Sequence, residues 1–544
     1  MAHELLLLLQ TYPQATLVSL LLVCPLLVVV LVRRFATTST ATSARDRLLS
    51  KLPSPPGKLP IIGHLHLVGS LPHVSLRDLA AEHGRDGLLL LRLGAVPTLV
   101  VSSPAAAQAV LRTHDHVFAS RTYSAITDIL FYGSSDVAFS PYGEHWRQVR
   151  KIATMHLLTN RKVRSYRHAR EQEVRLVMAK IREAAEAGTA MNLTDLLNSF
   201  ANDIVCLKRP PRTLVPPVSS KNDIVCHAVS GKFFREEGRN KLFQELVESN
   251  TSLLGGFNLV DYFPIFARQD IVRKILCYKA HKVNKIWDNL LNKLIDDHAS
   301  KPELLRHGEE SDFIDVLLSI QHEYKLTRDH IKAQLVVMLQ AGTDSSSTVL
   351  EYAIVELMRH PHLMTKLQAE VRMAIPKGKE MVTEDDLNGM AYLKAVIKET
   401  LRLHGSAPLL VPHFSMADCN IEGYTIPSGT RTIVNAWALA MDPSYWDSPE
   451  EFMPERFMEA GSAAAMDYMG NDFLYLPFGS GRRKCPGINF AILAVEVMLA
   501  NLMYHFNWKL PSELLERGID MKESFGVTVH RIEKLLLVPV IPQE

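Results

Sequence analysis

Phe478-Gly-Ser-Gly-Arg-Arg-Lys-Cys-Pro-Gly487 runs directly into Ile488 to Phe506, an apolar stretch of helical period. A cysteine in that setting gains three things. Gly479, Gly481 and Gly487 let the backbone bend tightly and let a bulky group approach. Arg482, Arg483 and Lys484 supply positive charge. The positive end of the following helix, with Pro486 suited to its first turn, favours a thiolate over a thiol. Taken alone, the decapeptide fits a metal-ligating thiolate, a Gly-rich phosphate cradle or a helix start with an incidental cysteine about equally. A Walker loop is excluded because no Gly-Lys-Ser/Thr follows, and no G-x-G-x-x-G occurs anywhere.

Working outward, 544 residues with 47% hydrophobic and 22% charged side chains form an ordinary globular balance. The 60 Lys+Arg nearly match the 58 Asp+Glu, a net charge of +2 that argues against a nucleic-acid partner. Cysteines 24, 206, 226, 277, 419 and 485 are scattered singly, which suits a reducing compartment and not a disulfide framework. Between Glu4 and Arg33 there is no charged residue, and residues 5–32 as a helix span roughly 40 Å, enough to cross a bilayer. The basic residues Arg33, Arg34, Arg45, Arg47, Lys51 and Lys58 all follow this span, so the positive-inside bias leaves the body in the cytosol. Residues 33–60 then read as a linker and a Pro-rich hinge, Leu52-Pro-Ser-Pro-Pro-Gly-Lys-Leu-Pro60, ahead of one body over 61–544.

Leu88–Leu93 and Pro97–Ser102 predict a β-hairpin, and Leu409–Val434 is strand-like. Period-3.6 apolar patterning predicts helices over 141–158, 161–187, 240–254, 270–297, 329–360, 391–404 and 488–506. The body is therefore α+β and mainly α. One segment breaks the pattern: Asn202-Asp-Ile-Val-Cys206 recurs as Asn222-Asp-Ile-Val-Cys226, with two Pro-Pro pairs between the copies. Deleting 207–226 joins one continuous amphipathic helix, so this segment reads as an anomalous insertion or tandem duplication. A chain whose core helix is split in this way is a candidate for an unstable or catalytically dead product.

Phe478, Gly481, Arg483, Cys485 and Gly487 together match F-x-x-G-x-R-x-C-x-G, and on this signature the chain resembles the cytochrome P450 family, closest to its microsomal plant-type branch. The resemblance extends over essentially the whole chain and implies the cytochrome P450 fold behind an N-terminal transmembrane helix. It implies haem b as cofactor, its iron held axially by the Cys485 thiolate. Trp146 and Arg150, in a W-x-x-x-R pattern, and Arg483 become partners of the haem propionates, with His413 where an arginine is usual. Glu399 and Arg402, at i and i+3, gain Arg456 of the Pro-Glu-Arg-Phe box as third member of a structural trio. Met441 likewise replaces an arginine expected at an ionic surface contact.

Ala341-Gly-Thr-Asp-Ser-Ser-Ser-Thr348 places polar side chains inside an otherwise apolar helix, which predicts a weak or widened turn. By resemblance it is the oxygen-binding turn, with Asp344 and Ser345 as the acid and alcohol that relay protons. Phe131, Phe139, Ala341, Leu410, Val411 and Phe525 fall in segments that contact substrate in the family and point to an apolar small molecule. The resemblance implies a monooxygenase of plant specialised-metabolite type, held single-pass in the endoplasmic reticulum membrane. Its electrons come from a separate NADPH-dependent flavoprotein reductase docking near Arg482 and Lys484. A hydroperoxide-rearranging haem-thiolate enzyme is the alternative on the same fold.

Overall fold

A computed structural model describes residues 43–205, 239–255, 258–267, 269–300 and 313–542. The proposed anchor 5–32 and the insertion 207–226 lie outside the described residues. The expected hairpin is present as β1 (Leu88–Leu93) and β2 (Val96–Val101). The principal helices are α1 (Glu144–Ile152), α2 (Arg167–Ala187), α3 (Leu193–Val205), α4 (Arg239–Gly255), α5 (Tyr278–Ala299), α6 (Arg328–Arg359) and α7 (Ala391–Leu403). The strand-like stretch after α7 resolves into short strands, among them β3 (His413–Phe414) and β4 (Arg431–Val434). The helix after the cysteine loop is α8 (Ile488–His505), and the C-terminal hairpin is β5 (Glu523–Phe525) and β6 (Val529–Arg531).

The largest sheet has the order β1-β2-β4-β3. β1 and β2 pair antiparallel with Leu88 opposite Val101, and β4 runs parallel to β2 with Val101 beside Val434. β3 closes the edge antiparallel to β4, His413 opposite Thr432. The same edge meets residues 118–120, with His413 Nδ1 2.8 Å from the Phe118 carbonyl, 295 positions away in sequence.

Helix α6 organises the rest. Thr327 and His330 close a reciprocal capping box at its start, and Pro361 follows its last turn, where a helix cannot continue. Most of it is buried, polar side chains such as Gln334, Gln340 and Glu356 included. Its first half, with Ile331, Leu335, Val336 and Leu339, packs into a cluster with Val149, Phe243, Trp287 and Leu291. Its second half, with Leu350, Ile354 and Leu357, packs into a separate cluster with Leu197, Phe200, Val396 and Val495. Each fully buried aliphatic side chain contributes about 1.5 to 3 kcal/mol. The polar turn 340–348 lies between these two dry cores, so it is held at both ends while its middle borders a cavity.

The expected widening of that turn does not occur, since α6 is regular α-helix throughout. Ser345 Oγ donates to the Ala341 carbonyl at 2.7 Å, Ser347 Oγ to Thr343 at 3.0 Å and Thr348 Oγ1 to Asp344 at 2.8 Å. The hydroxyls share carbonyls with the helix ladder instead of diverting them, and the packed halves on either side maintain the pitch.

Candidate active site

The cysteine loop is closed by Cys485 N–H donating to the Phe478 carbonyl at 3.0 Å. Gly481 has φ 69°, and a Cβ there would stand 2.0 Å from the Leu111 carbonyl oxygen, so this position accepts glycine alone. Gly487 N–H donates to Cys485 Sγ at 3.3 Å. The loop cations contribute less than their sequence positions promise. Arg482 pairs with Asp115 at 2.6 Å, Lys484 donates to the Met469 carbonyl, and Arg483 turns away towards Ala119 and Ser140. Burial pushes the thiol's pKa up, opposed by the Gly487 N–H, Arg150 and Lys484 without being overcome. A cation bound at the sulfur would favour the thiolate further.

Above this loop lies a cavity of about 340 Å³, lined by Cys485, Phe478, Gly487, Ala341, Asp344, Ser345 and a largely apolar wall. Three guanidiniums reach it: Arg121, Arg150 and Arg483. Burial pushes Arg121 down to about 9; burial together with repulsion from Arg121 pushes Arg483 down to about 8. Arg483 donates to Ala119 and Ser140 carbonyls at 2.6 Å each, Arg121 to Val411 at 2.6 Å and Ala138 at 3.0 Å, and Arg150 to Lys484 at 2.7 Å. Asp136, close enough to act on both Arg121 and Arg483, is itself pushed up to about 6 by burial. The pocket rim thus carries more buried positive charge than its described carboxylates offset, which suits an anionic ligand.

Trp146 does not line the cavity. Its indole N–H donates to the Val137 carbonyl at 3.0 Å, and its ring lies under Arg483, 4.3 Å from the guanidinium carbon. Its geometry is that of a support for Arg483, not of a direct carboxylate partner. His413 does line the cavity. Burial and the nearby Arg121 push it down to about 3, and Nδ1 stands 2.8 Å from the Phe118 carbonyl, so the ring is neutral with its proton on Nδ1. Arg121, absent from the sequence expectations, supplies a cation beside it. No periodic pattern marks Arg121; its position follows from the tertiary approach of 411–413.

Phe131 and Phe139 stack at 5.0 Å and line the wall with Leu410 and Val411. Phe525 does not. It packs against His73 at 6.1 Å, while the hairpin turn beyond it brings Val527 and Thr528 to the cavity. Phe525 ends β5, and it is the 526–528 turn beyond it that reaches the cavity.

Asp344 is buried, and Oδ2 accepts from Thr251 Oγ1 at 2.7 Å and from Thr528 Oγ1. His530 Nε2 lies 3.1 Å from Oδ1. Burial alone would raise this carboxyl, but His530 and the two threonines hold it below its ordinary value. Ser345 is open to the cavity, one residue on.

Among the described residues no cluster of three or more His, Cys, Asp or Glu side chains could hold a metal. A metal held by Cys485 would bring its other ligands with it. A porphyrin does so, and its carboxylates would meet the surplus guanidiniums; the residues fit haem b.

The cytochrome P450 family model matches residues 53–207 and 220–537. The chain belongs to the cytochrome P450 family. This P450 is an oxidoreductase of monooxygenase type. It is 53% identical over 537 residues to the Zea mays indole-2-monooxygenase, covering 96% of each chain. It is 52% identical over 512 residues to the Zea mays 3-hydroxyindolin-2-one monooxygenase, covering 93% of this chain and 92% of that one. Among solved structures, a zebrafish cytochrome P450 studied with abiraterone superposes with a TM-score of 0.65 at 24% identity, over 88% of this chain and 100% of that one.

The P450 trio is fully assembled. Arg402 grips both Glu399 oxygens at 2.7 and 2.8 Å, and Arg456 Nε reaches Glu399 at 3.3 Å, all three side chains buried. Met441 is not at a surface contact. It is buried with Sδ 3.6 Å from Arg402 Nη1, so a thioether lies against this network where an arginine was expected. Among the described residues, the helix long and apolar enough to cross a membrane is α8, and most of it is buried in the core.

Proposed function

We propose that this P450 is a membrane-anchored haem-thiolate monooxygenase that inserts one atom of dioxygen into an indole-type bicyclic heteroaromatic. The observation that carries the reading is the convergence on one cavity of the Cys485 thiol, the Ala341–Ser345 turn and an apolar wall. Haem b, bound there, supplies reductive activation of dioxygen and insertion of one oxygen atom. Cys485 would hold its iron through the thiolate, with the Gly487 N–H withdrawing part of the sulfur's charge. Arg121, Arg150 and Arg483 would take its carboxylates, and the neutral His413 would add a polar edge without charge.

Phe131, Phe139, Leu410 and Val411 shed water and present flat apolar surface to a small aromatic ring. Ser345 offers a hydroxyl at the cavity and Asp344 a carboxylate behind it, the two groups a proton relay needs. The substrate class is supported by the printed activities of the two Zea mays relatives. Electrons come from an NADPH-dependent flavoprotein reductase.

Membrane attachment through 5–32 is supported by exposed apolar side chains on the body. Leu259, Ile265, Phe266, Ile271 and Ile275 lie on the short helices 259–276, and Leu59, Ile61 and Ile62 precede β1. The β1–β2 turn joins the two groups, with Gly94 N–H donating to the Ile62 carbonyl and Ala95 N–H to that of Tyr262. Such a surface belongs against lipid, with the endoplasmic reticulum as the site and the catalytic body on its cytosolic side. Residues 207–226 are an insertion after the cavity-lining end of α3, where Ile204 faces the pocket; the unmatched interval 208–219 in the family comparison supports this.

The test is turnover of indole by the chain reconstituted with a plant reductase, NADPH and isotopically labelled dioxygen. A product carrying one labelled oxygen atom is expected. Conversion without NADPH, or a product whose new oxygen is unlabelled and so comes from water, contradicts the reading.

A further inference from the structure

The carboxylate of Asp344 is gripped from three elements at once. Thr251 of α4 and Thr528 of the β5–β6 turn donate to Oδ2, and His530 of β6 meets Oδ1. On the far side of the imidazole, Nδ1 stands 3.0 Å from Thr348 Oγ1, and Nε2 also stands 2.9 Å from Thr528 Oγ1.

The hydroxyls beside this ring bear on its charge. A hydroxyl has one hydrogen, and that of Thr348 goes to the Asp344 main-chain carbonyl while that of Thr528 goes to the Asp344 carboxylate. With the hydroxyl hydrogens so placed, Nδ1 and Nε2 both face acceptors, an arrangement that suits an imidazolium. The surroundings agree. Burial would lower its pKa, but Asp344, Glu351 of α6 and Glu248 of α4 together hold it above the ordinary value. The neighbouring cation on its own strand, Arg531, pairs with Glu351 at 3.0 Å.

The same pair fixes part of the cavity wall. The turn 526–528 sits on the last turn of α4, with Val527 N–H donating to the Thr251 carbonyl at 3.0 Å. A Cβ on Gly255 would meet the Gly526 carbonyl carbon at 1.7 Å, and one on Gly526 would meet Thr251 Cγ2 at 2.7 Å. This close approach carries Val527 and Thr528 to the cavity.

We propose that His530 is a positioning residue: as a cation it pins Asp344 and, through Thr528, the 526–528 wall of the substrate cavity, and loss of its proton releases both. The inference rests on the proposed roles of Asp344 and of this cavity. Because the folded state holds the proton more tightly than the unfolded chain, the stabilisation is full below the ordinary imidazole value. It disappears as pH rises through the raised value of His530.

The experiment compares the full-length haem protein with His530→Arg and His530→Gln in lipid discs across that pH range. Two quantities are read: the thermal midpoint, which needs no turnover, and the dissociation constant for indole from its spectral shift. The native protein is expected to lose thermal stability and roughly tenfold in indole affinity at the alkaline end, in line with a hydrogen bond to a charged group. His530→Arg keeps both across the range, and His530→Gln shows the alkaline values at every pH. Should the glutamine chain fail to retain haem, native against arginine decides alone. Superposable thermal profiles for the native protein and His530→Arg overturn the proposal. If indole does not bind at all, the thermal midpoint still reads the pair, so an error in the substrate and an error in the role of His530 are told apart.

Discussion

The guanidinium carbon of Arg483 stands 4.3 Å from the centre of the Trp146 ring. The tryptophan N–H is held by Val137 and the arginine by the Ala119 and Ser140 carbonyls. The two side chains form one rigid cationic unit at the cavity rim, and a cation on an indole face in such a desolvated place is worth up to about 2 kcal/mol.

Trp146→Ala is expected to raise the rate of haem loss roughly tenfold, measured by transfer to an excess of a haem-scavenging protein. Trp146→Phe, which keeps a ring beneath Arg483, lies between the two. Equal haem retention in all three proteins contradicts the support role.

Glu399 is the shared anion of two buried arginines. Glu399→Gln leaves Arg402 and Arg456 with one carboxylate charge missing in a site closed to water, a loss of about 3 to 5 kcal/mol. A denaturant titration followed at the haem band measures it. A loss below about 1 kcal/mol, the scale of an exposed ion pair, contradicts the burial argument.

Gly481 and Gly479 both have positive φ, 69° and 66°, but their surroundings differ. An added Cβ at 481 collides with the Leu111 carbonyl at 2.0 Å, whereas at 479 its nearest neighbour is Leu410 Cδ1 at 3.7 Å. Gly479→Ala therefore meets only the left-handed backbone penalty of about 1 to 2 kcal/mol. Gly481→Ala must displace the loop. The haem content of the purified variants separates them, with Gly481→Ala the far poorer.

His73 is buried against Trp437 and Phe525, and burial, with Arg77 nearby, pushes it from 6.5 to about 4. The folded protein resists the proton that the unfolded chain accepts, so this histidine contributes stability above 6.5 that drains away as pH falls towards 4. The loss across that interval is up to about 3 kcal/mol. His73→Phe keeps the ring packing and removes the titration, so its stability is expected to change less with pH there. Parallel acid profiles of thermal midpoint contradict this.

What the sequence made legible was what repeats or what is contiguous. The helical period placed α6 and α8 to within a residue or two, and the cysteine decapeptide carried the family on its own residues. The Glu399–Arg402 spacing said little until burial was known. Long-range contacts were the hidden part. Arg121 reaches the cavity because residues 411–413 fold over it, and His530 meets Asp344 from 186 positions away. Met441 and Phe525 were misplaced for the same reason, since neither the face of a short turn nor the far side of a hairpin is written in a local pattern. The regularity of 341–348 was also hidden, because the packing that keeps the helix straight lies on either side of the polar turn.

The most direct test of Cys485 as thiolate ligand is the difference spectrum of the reduced, carbon-monoxide-bound protein. It is recorded for the native chain, a chain lacking 207–226, and Cys485→Ser. A thiolate-type Soret band from the chain lacking the insertion, and none from Cys485→Ser, is the predicted result. The same band in Cys485→Ser, or its absence from both the native and the deleted chain, contradicts the assignment of Cys485.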